Sequence, residues 1–388
     1  MNRQRPLSAF PHLDPRQVTG RRTHPDPLLG NGRVRLYASG RAGLFRIVAG
    51  LALPPGSTIL LPAYHCGVEV EAVLRAGCGV AFYRVRFDLG IDLDHIRALI
   101  DQHTRGILVA HYFGFPQEIS ELAALCRQRE LVLIEDCAHA LYSRDQRGAW
   151  LGTTADYGLF SMRKTVFMPN GGAVRVNRAE LPLPQPGIRY LDRSIVTSTV
   201  KSLLEYGATG SGVPAAWARR LLHSHERRSD AATAAANDGG AVRWYYDVPS
   251  LDYRHDIAAL SRWCAGGPEV REIVGRRREN YRSLAALLAP RLADRLPFPE
   301  LPEGVCPLCL PLFVPQRDAV AERLAARGVH PFVFGRHPHP LLQPEQFPEA
   351  TVLAAGIVGL PVQQQLTERD MALVADILLQ SLDEVTTS

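Results

Sequence analysis

Three short stretches of the chain carry residue types that could do chemistry. The first is Tyr37-Ala-Ser-Gly-Arg-Ala-Gly-Leu44, small residues with free amides opening a helix. Such amides and the helix dipole point at an anion and suit a phosphate group. The second is Leu131-Val-Leu-Ile-Glu-Asp136, where a carboxylate follows four apolar residues. A carboxylate placed there is costly unless it faces a cationic partner. The third is Phe160-Ser-Met-Arg-Lys-Thr165, followed by Pro169-Asn-Gly-Gly-Ala-Val174. A lysine at the mouth of a strand is a candidate nucleophile, because desolvation and the adjacent Arg163 both lower its pKa. Taken singly, each stretch has a plainer alternative: a helix N-cap, a strand-end carboxylate capping a turn, and a surface-loop lysine.

The elements that must position these residues follow from the hydrophobic pattern. Short apolar runs over 57–64, 80–85, 106–113, 131–138, 157–162 and 171–176 predict strands. Amphipathic stretches predict helices at about 41–51, 67–76, 91–103 and 117–129. Nearly continuous apolar strands alternating with helices predict an α/β fold, with a mostly parallel sheet covered on both faces. Ligands of such sheets bind beyond the carboxyl ends of the strands, where Tyr64-His65, His111-Tyr112, Glu135-Asp136 and Ser161 to Lys164 all fall. The layout predicts an N-terminal arm over 1–34 and a large domain over 35–250, within which 178–250 is an insertion or connection. A smaller C-terminal α+β domain then occupies 251–388, with helices near 255–265 and 268–290, a strand at 305–313, helices at 316–327 and 367–382, and a His- and Pro-rich loop at 329–345.

Composition narrows the function. A net charge of +5 over 388 residues, without a basic stripe interleaved with aromatics, argues against nucleic acid as a partner. Seven irregularly spaced cysteines read as buried thiols of a reducing cytoplasm rather than a disulfide framework. Cys306 and Cys309 form a C-x-x-C, but they lie in an apolar run without a second ligand pair, so a core strand is favoured over a metal or redox site. His337 and His339 likewise lack evident zinc partners, and no metal is expected. Trp244-Tyr245-Tyr246 could form a substrate platform, although packing of the connection is the simpler reading. No signal peptide is evident and no apolar stretch reaches the roughly eighteen residues of a membrane span, so a cytoplasmic protein without membrane partners is expected.

Order and spacing unite the three stretches. A small-residue helix start, then Glu-Asp-x-Ala-His139, then Ser-x-x-Lys164 and Gly-Gly172 resembles the DegT/DnrJ/EryC1/StrS family of sugar aminotransferases, of the fold-type-I pyridoxal-phosphate (PLP) transferases. The resemblance extends to Leu61-Pro-Ala-Tyr-His65, His111-Tyr-Phe-Gly-Phe-Pro116 and Gly359-Leu-Pro-Val362, the last followed by Leu366-Thr-Glu-Arg-Asp370. It implies that Lys164 holds PLP as a Schiff base and shuttles the proton, and that Asp136 binds the ring nitrogen. Gly40, Arg41 and Ser161 would hold the phosphate, an aromatic from Tyr64 or His65 would stack on the ring, and His139 would lie near the ring hydroxyl. Asp252-Tyr253-Arg254 stands where the family has Asn-Tyr-Arg reaching the partner subunit's cofactor phosphate. The chain departs from the usual pattern in placing Ser161 three rather than five residues before Lys164, in Asp252, and in the length of 178–250.

The implied activity is that of a homodimeric aminotransferase with its active site at the subunit interface. It would convert a keto-sugar, nucleotide-linked, to an amino sugar with glutamate as amino donor. The alternatives are a PLP lyase or dehydratase, an aminotransferase on a non-sugar natural-product intermediate, and a non-catalytic regulatory protein on the same fold. Lys164 argues against the family's sugar dehydratases, which carry a histidine in its place.

Overall fold

The computed structural model describes residues 7–12, 26–30, 32–188, 253–264 and 269–386. The stretch 214–228, whose sequence reads as helix-like, the Trp244-Tyr245-Tyr246 cluster and Asp252 lie outside the described residues.

Seven strands form one sheet: β2 (Arg33–Tyr37), β3 (Thr58–Pro62), β4 (Gly79–Tyr83), β5 (Thr104–Ala110), β6 (Val132–Asp136), β7 (Tyr157–Phe160) and β8 (Gly172–Val176), in the spatial order β2-β8-β7-β6-β5-β3-β4. From β4 to β7 every neighbour is parallel, while β8 runs antiparallel to both β7 and β2. Apolar residues on both faces demand cover, as the buried run Ile59-Leu60-Leu61 illustrates. The helices α1 (Gly40–Gly50), α2 (Val68–Arg75), α3 (Leu93–Leu99) and α4 (Ser120–Gln128) punctuate these strands. Ser39 caps α1 by accepting from the Ala42 amide at 3.2 Å, and Asp92 caps α3 through the His95 amide at 3.0 Å.

The C-terminal part contains α5 (Ala259–Cys264), α6 (Val270–Leu292), α7 (Arg317–Ala326), α8 (Pro348–Gly356) and α9 (Glu368–Thr386). Its strands β9 (Cys309–Phe313) and β11 (Ile357–Pro361) pair antiparallel, and β10 (Val329–His330) pairs with β1 (Leu7–Ser8) of the N-terminal arm. One core cluster runs from Ile59 and Leu108 in the sheet to Leu284, Leu310 and Val374, and a second joins Phe160 and Met162 to Val270 and Ile273, so the two parts share buried apolar surface.

The mostly parallel α/β fold expected from the alternation is the one found. Three details differ from the pattern reading. Arg33 and Val34, assigned to the arm, already pair with β8, because an edge strand with polar residues on one side carries little apolar signal. The strand expected from 305 starts at Cys309, since the preceding residues bond outside the β9–β11 ladder: the Cys306 amide to Ser143 Oγ, and the Leu308 amide to the Phe113 carbonyl. The helix α8, with Pro348 at its start, was not expected.

Candidate active site

A cavity of about 460 Å³ opens at the carboxyl ends of β5, β6 and β7, where the parallel topology places a ligand site. Its wall holds Gly40, Arg41, Asp136, His139, Ser161 and Lys164, six of the eight residues singled out from sequence. Residues more than 120 positions apart meet there because β7 follows β6 in parallel and α1 starts beside β8.

At one end, Ser39, Gly40 and Arg41 open α1, beside Ser161 and Arg163. The α1 start sits tightly on the sheet. A Cβ on Gly172 would come within 2.3 Å of the Ser39 carbonyl carbon and 2.5 Å of the Gly40 nitrogen. Only glycine lets this helix start descend so close to the Ser161–Lys164 turn, which is what the paired glycines after the lysine accomplish. The unpaired first-turn amides, the hydroxyl and the guanidinium groups suit a phosphate.

Asp136 ends β6. Its Oδ1 accepts from the Ala138 amide at 2.8 Å. Burial, reinforced by the negative charge of Glu69, pushes its carboxyl up to about 6. A facing cation would relieve that penalty. The neighbouring Glu135 has a different task. It is fully buried and accepts from His111 Nε2 (3.1 Å) and the amides of Gly152 (2.8 Å), Thr154 (2.9 Å) and Ala155 (2.6 Å). Burial opposes its ionisation, but His111 and these amides outweigh it and hold the carboxyl below the usual carboxylate range. Cys137 Sγ lies near His111 and Glu135, yet those four bonds occupy the Glu135 oxygens, so the group reads as a brace for β6 rather than a metal site.

Lys164 closes a 3-10 turn, Met162–Lys164, and its Nζ lies 5.5 Å from the centroid of the Phe332 ring. Burial lowers its pKa and Arg163 acts the same way, while Cys66, Asp136 and Glu69 oppose them. His139 is buried, stacked on Phe113 at 5.7 Å, and its pKa is driven well down by burial and then by Lys164. Its Nδ1 accepts from the Phe113 amide at 3.4 Å, which assigns the proton of the neutral ring to Nε2 and leaves that N–H as a donor. Phe113 holds a left-handed backbone (φ 56°), and Gly114 follows at φ 107° with the Cys306 carbonyl 2.5 Å from where a Cβ would stand. The His-x-x-Gly stretch therefore serves as the joint on which the C-terminal part rests.

Tyr64 and His65 require a correction. Neither lines this cavity, so the stacking expected of one of them finds no support in the geometry. Tyr64 packs its ring against Tyr112 (5.2 Å) and Phe334 (5.0 Å). His65 stacks on Phe82 (5.0 Å) and accepts from the His339 amide at 3.1 Å. Both border a separate cavity with Arg317 and Leu342. The turn after β3 sends the two large rings to the interface with the C-terminal part, and the next residue, Cys66, faces the cavity instead. Its thiol donates to Glu69 Oε2 at 3.0 Å, and Glu69 also lines the cavity. Tyr253 is buried within its own chain, edge-on to Phe45 at 5.5 Å.

Several lining residues were missed in the sequence. Ser39 had a signal in the Ser-Gly pair itself. Cys66, Glu69, Phe10, Phe332 and Phe334 had none, because they arrive from the turn before α2, α2 itself, the arm and the segment after β10. Phe10 packs edge-on to Phe332 at 5.4 Å, so two remote segments roof the cavity together.

The donor set tests the fit of PLP. A carboxylate that gains from a cationic partner, an anion seat at a helix start, a lysine with lowered pKa and a neutral histidine N–H share one cavity of suitable size. The residues present fit the group.

The sequence profile of the DegT/DnrJ/EryC1/StrS aminotransferase family matches residues 28–182. Among curated proteins, a dTDP-4-dehydro-2,3,6-trideoxy-D-glucose 4-aminotransferase of Saccharopolyspora spinosa is 27% identical over 355 residues, covering 87% of this chain and 81% of the relative. A UDP-N-acetyl-3-dehydro-alpha-D-glucosamine 3-aminotransferase of Acidithiobacillus ferrooxidans is 26% identical over 358 residues, covering 89% and 83%. Among solved structures, the aminotransferase TlmJ of Streptoalloteichus hindustanus superposes with a TM-score of 0.65 at 24% identity, over 92% of this chain and 88% of that one. Spr1654 of Streptococcus pneumoniae in its PMP-form gives 0.67 at 17% identity, over 98% and 100%. The structural likenesses establish the fold. Fold, site and relatives define the protein as an aminotransferase. More narrowly, residues 28–182 are similar to the DegT/DnrJ/EryC1/StrS aminotransferase family.

Proposed function

We propose that this aminotransferase moves an amino group from glutamate to the carbonyl carbon of a nucleotide-linked keto-sugar, acting as a cytoplasmic homodimer with PLP in the cavity described above. The observation that carries the reading is the meeting of Asp136, Lys164, Ser161 and the α1 start around one cavity. The relatives acting on dTDP- and UDP-linked dehydro-sugars support the substrate class. Among the described residues no helix is long and apolar enough to cross a membrane.

Bound PLP supplies an electron sink and a carrier for the amino nitrogen. Lys164 would anchor the group and would take and return the proton at the amino-bearing carbon of the substrate. Its lowered pKa suits that exchange near neutral pH. Asp136, as a carboxylate, would pair with the ring nitrogen. The α1 amides, Ser161 and the flanking guanidinium groups would hold the phosphate, and the His139 Nε2–H would be a donor for the ring hydroxyl. Phe10, Phe332 and Phe334, which line the cavity, would screen the reacting carbon from water.

The test is borohydride trapping of the PLP-loaded protein with peptide mapping. A reduced label on Lys164, absent in Lys164→Ala, is expected, and a label elsewhere overturns the assignment. Glutamate-dependent amination of dTDP-4-keto and UDP-3-keto sugars then addresses the substrate, and light scattering addresses the dimer.

A further inference from the structure

Arg277, the middle residue of Arg276-Arg277-Arg278 on α6, is fully buried and among the described residues has no carboxylate as a hydrogen-bond partner, a rare setting for an arginine. Its guanidinium instead reaches three separate segments. Nε donates to Gln364 Oε1 at 2.8 Å. One NH₂ group donates to the carbonyls of Pro307 (3.1 Å) and Leu308 (3.0 Å), and the other to those of Lys164 and Thr165, both at 3.5 Å. The Gln364 amide closes the arrangement by donating to the Thr165 carbonyl at 3.0 Å. A buried cation is expensive, and burial lowers even this guanidinium's pKa. Five donors in a rigid plane are what can hold several carbonyls of different segments in one geometry.

From this geometry we propose that Arg277, with Gln364, is a positioning residue for Lys164. It clamps the backbone of the lysine turn to the C-terminal part, so that Nζ projects into the cavity at a set depth. The roof and the floor of the site are thereby keyed to each other. Phe332, against which Nζ rests, bridges to Gly359 of β11, and Gln364 follows that strand closely. If the turn is released, Nζ moves toward solvent and loses its desolvated position, so its pKa returns toward the ordinary lysine value. The role of Lys164 itself rests on the function proposed above, but its placement can be measured without any cofactor.

The experiment is competitive acetylation of the cofactor-free full chain with trace acetic anhydride across a pH series, reading Lys164 by mass spectrometry. Wild type should show a depressed Lys164 pKa. Arg277→Lys, which keeps the charge but loses the fork, should raise it, each unit of rise lowering neutral-pH labelling about tenfold. Gln364→Leu, which removes one bond to Thr165, should act in the same direction and less. If Arg277→Lys does not fold, Gln364→Leu carries the test. Folded variants, by circular dichroism and melting, whose Lys164 titrates as in wild type overturn the proposal. Failure of wild type to trap PLP on Lys164 would instead overturn the cofactor reading while leaving this titration interpretable.

Discussion

At the scale of single residues, the site is a set of opposed electrostatic penalties. Asp136 has its folded pKa raised to about 6 from the model-compound value of 3.8 by burial and then by Glu69. A raised acid favours the folded state when protonated, so its contribution is fully present below the unfolded value and is lost as pH rises through about 6. Asp136→Asn should therefore stabilise the cofactor-free protein by about 3 kcal/mol at about pH 8 and by roughly half of that near pH 5, while weakening PLP binding. Urea unfolding at the two pH values checks this, and a pH-independent gain would sink it. Asp136 was legible in the sequence because an apolar run leads into it, and Lys164 because it follows an apolar strand beside Arg163. Cys66 was not: in Tyr64-His65-Cys66 the aromatics looked like the ring-facing residues, yet their size is what draws them into the apolar interface with Phe334 and Phe82.

At the scale of elements, the anion seat depends on how closely α1 rests on β8. Gly172→Ala drives a Cβ into the Ser39 and Gly40 backbone, which cannot yield as a flexible side chain would. A loss of about 2–3 kcal/mol in stability is expected, with weaker phosphate-dependent PLP binding. Gly275→Ala, in α6 with nothing within 4 Å of the new Cβ, should instead stabilise by up to about 1 kcal/mol. Thermal melts of the two variants give opposite signs if the close approach matters. The sequence showed α1 and β8 as a capped helix and a short apolar strand. Their contact was not legible, because helical and strand periodicity report which face is buried and not what it is buried against.

At the scale of the whole molecule, the two parts are joined near the catalytic cavity. Ser143 is fully buried; its Oγ donates to the Gly114 carbonyl at 2.7 Å and accepts from the Cys306 amide at 2.9 Å, linking the joint after β5 to the segment leading into β9. Ser143→Ala leaves both backbone groups without that partner and should cost about 1–3 kcal/mol. Hydrogen exchange should localise the added opening to residues around 113–115 and 305–308; uniform protection loss would argue against a joint. The C-x-x-C that attracted attention in the sequence belongs to this same region: Cys306 and Cys309 are buried, and burial pushes both thiols up.

What the sequence determined by itself was the order of the chemistry and the architecture that presents it. Apolar strands alternating with helices imply a covered parallel sheet, and polar residues at strand ends then fall on one edge, as Asp136, Ser161 and Lys164 do. The tertiary structure alone decided which of Tyr64, His65 and Cys66 faces the cavity. It also decided that Phe10 and Phe332 roof it, and that Arg277, over a hundred residues beyond Lys164, holds the lysine turn. The reason is physical. Burial and backbone conformation leave a periodic trace along the chain, whereas contacts between distant segments depend on shape and hydrogen-bond geometry that arise only when the segments pack.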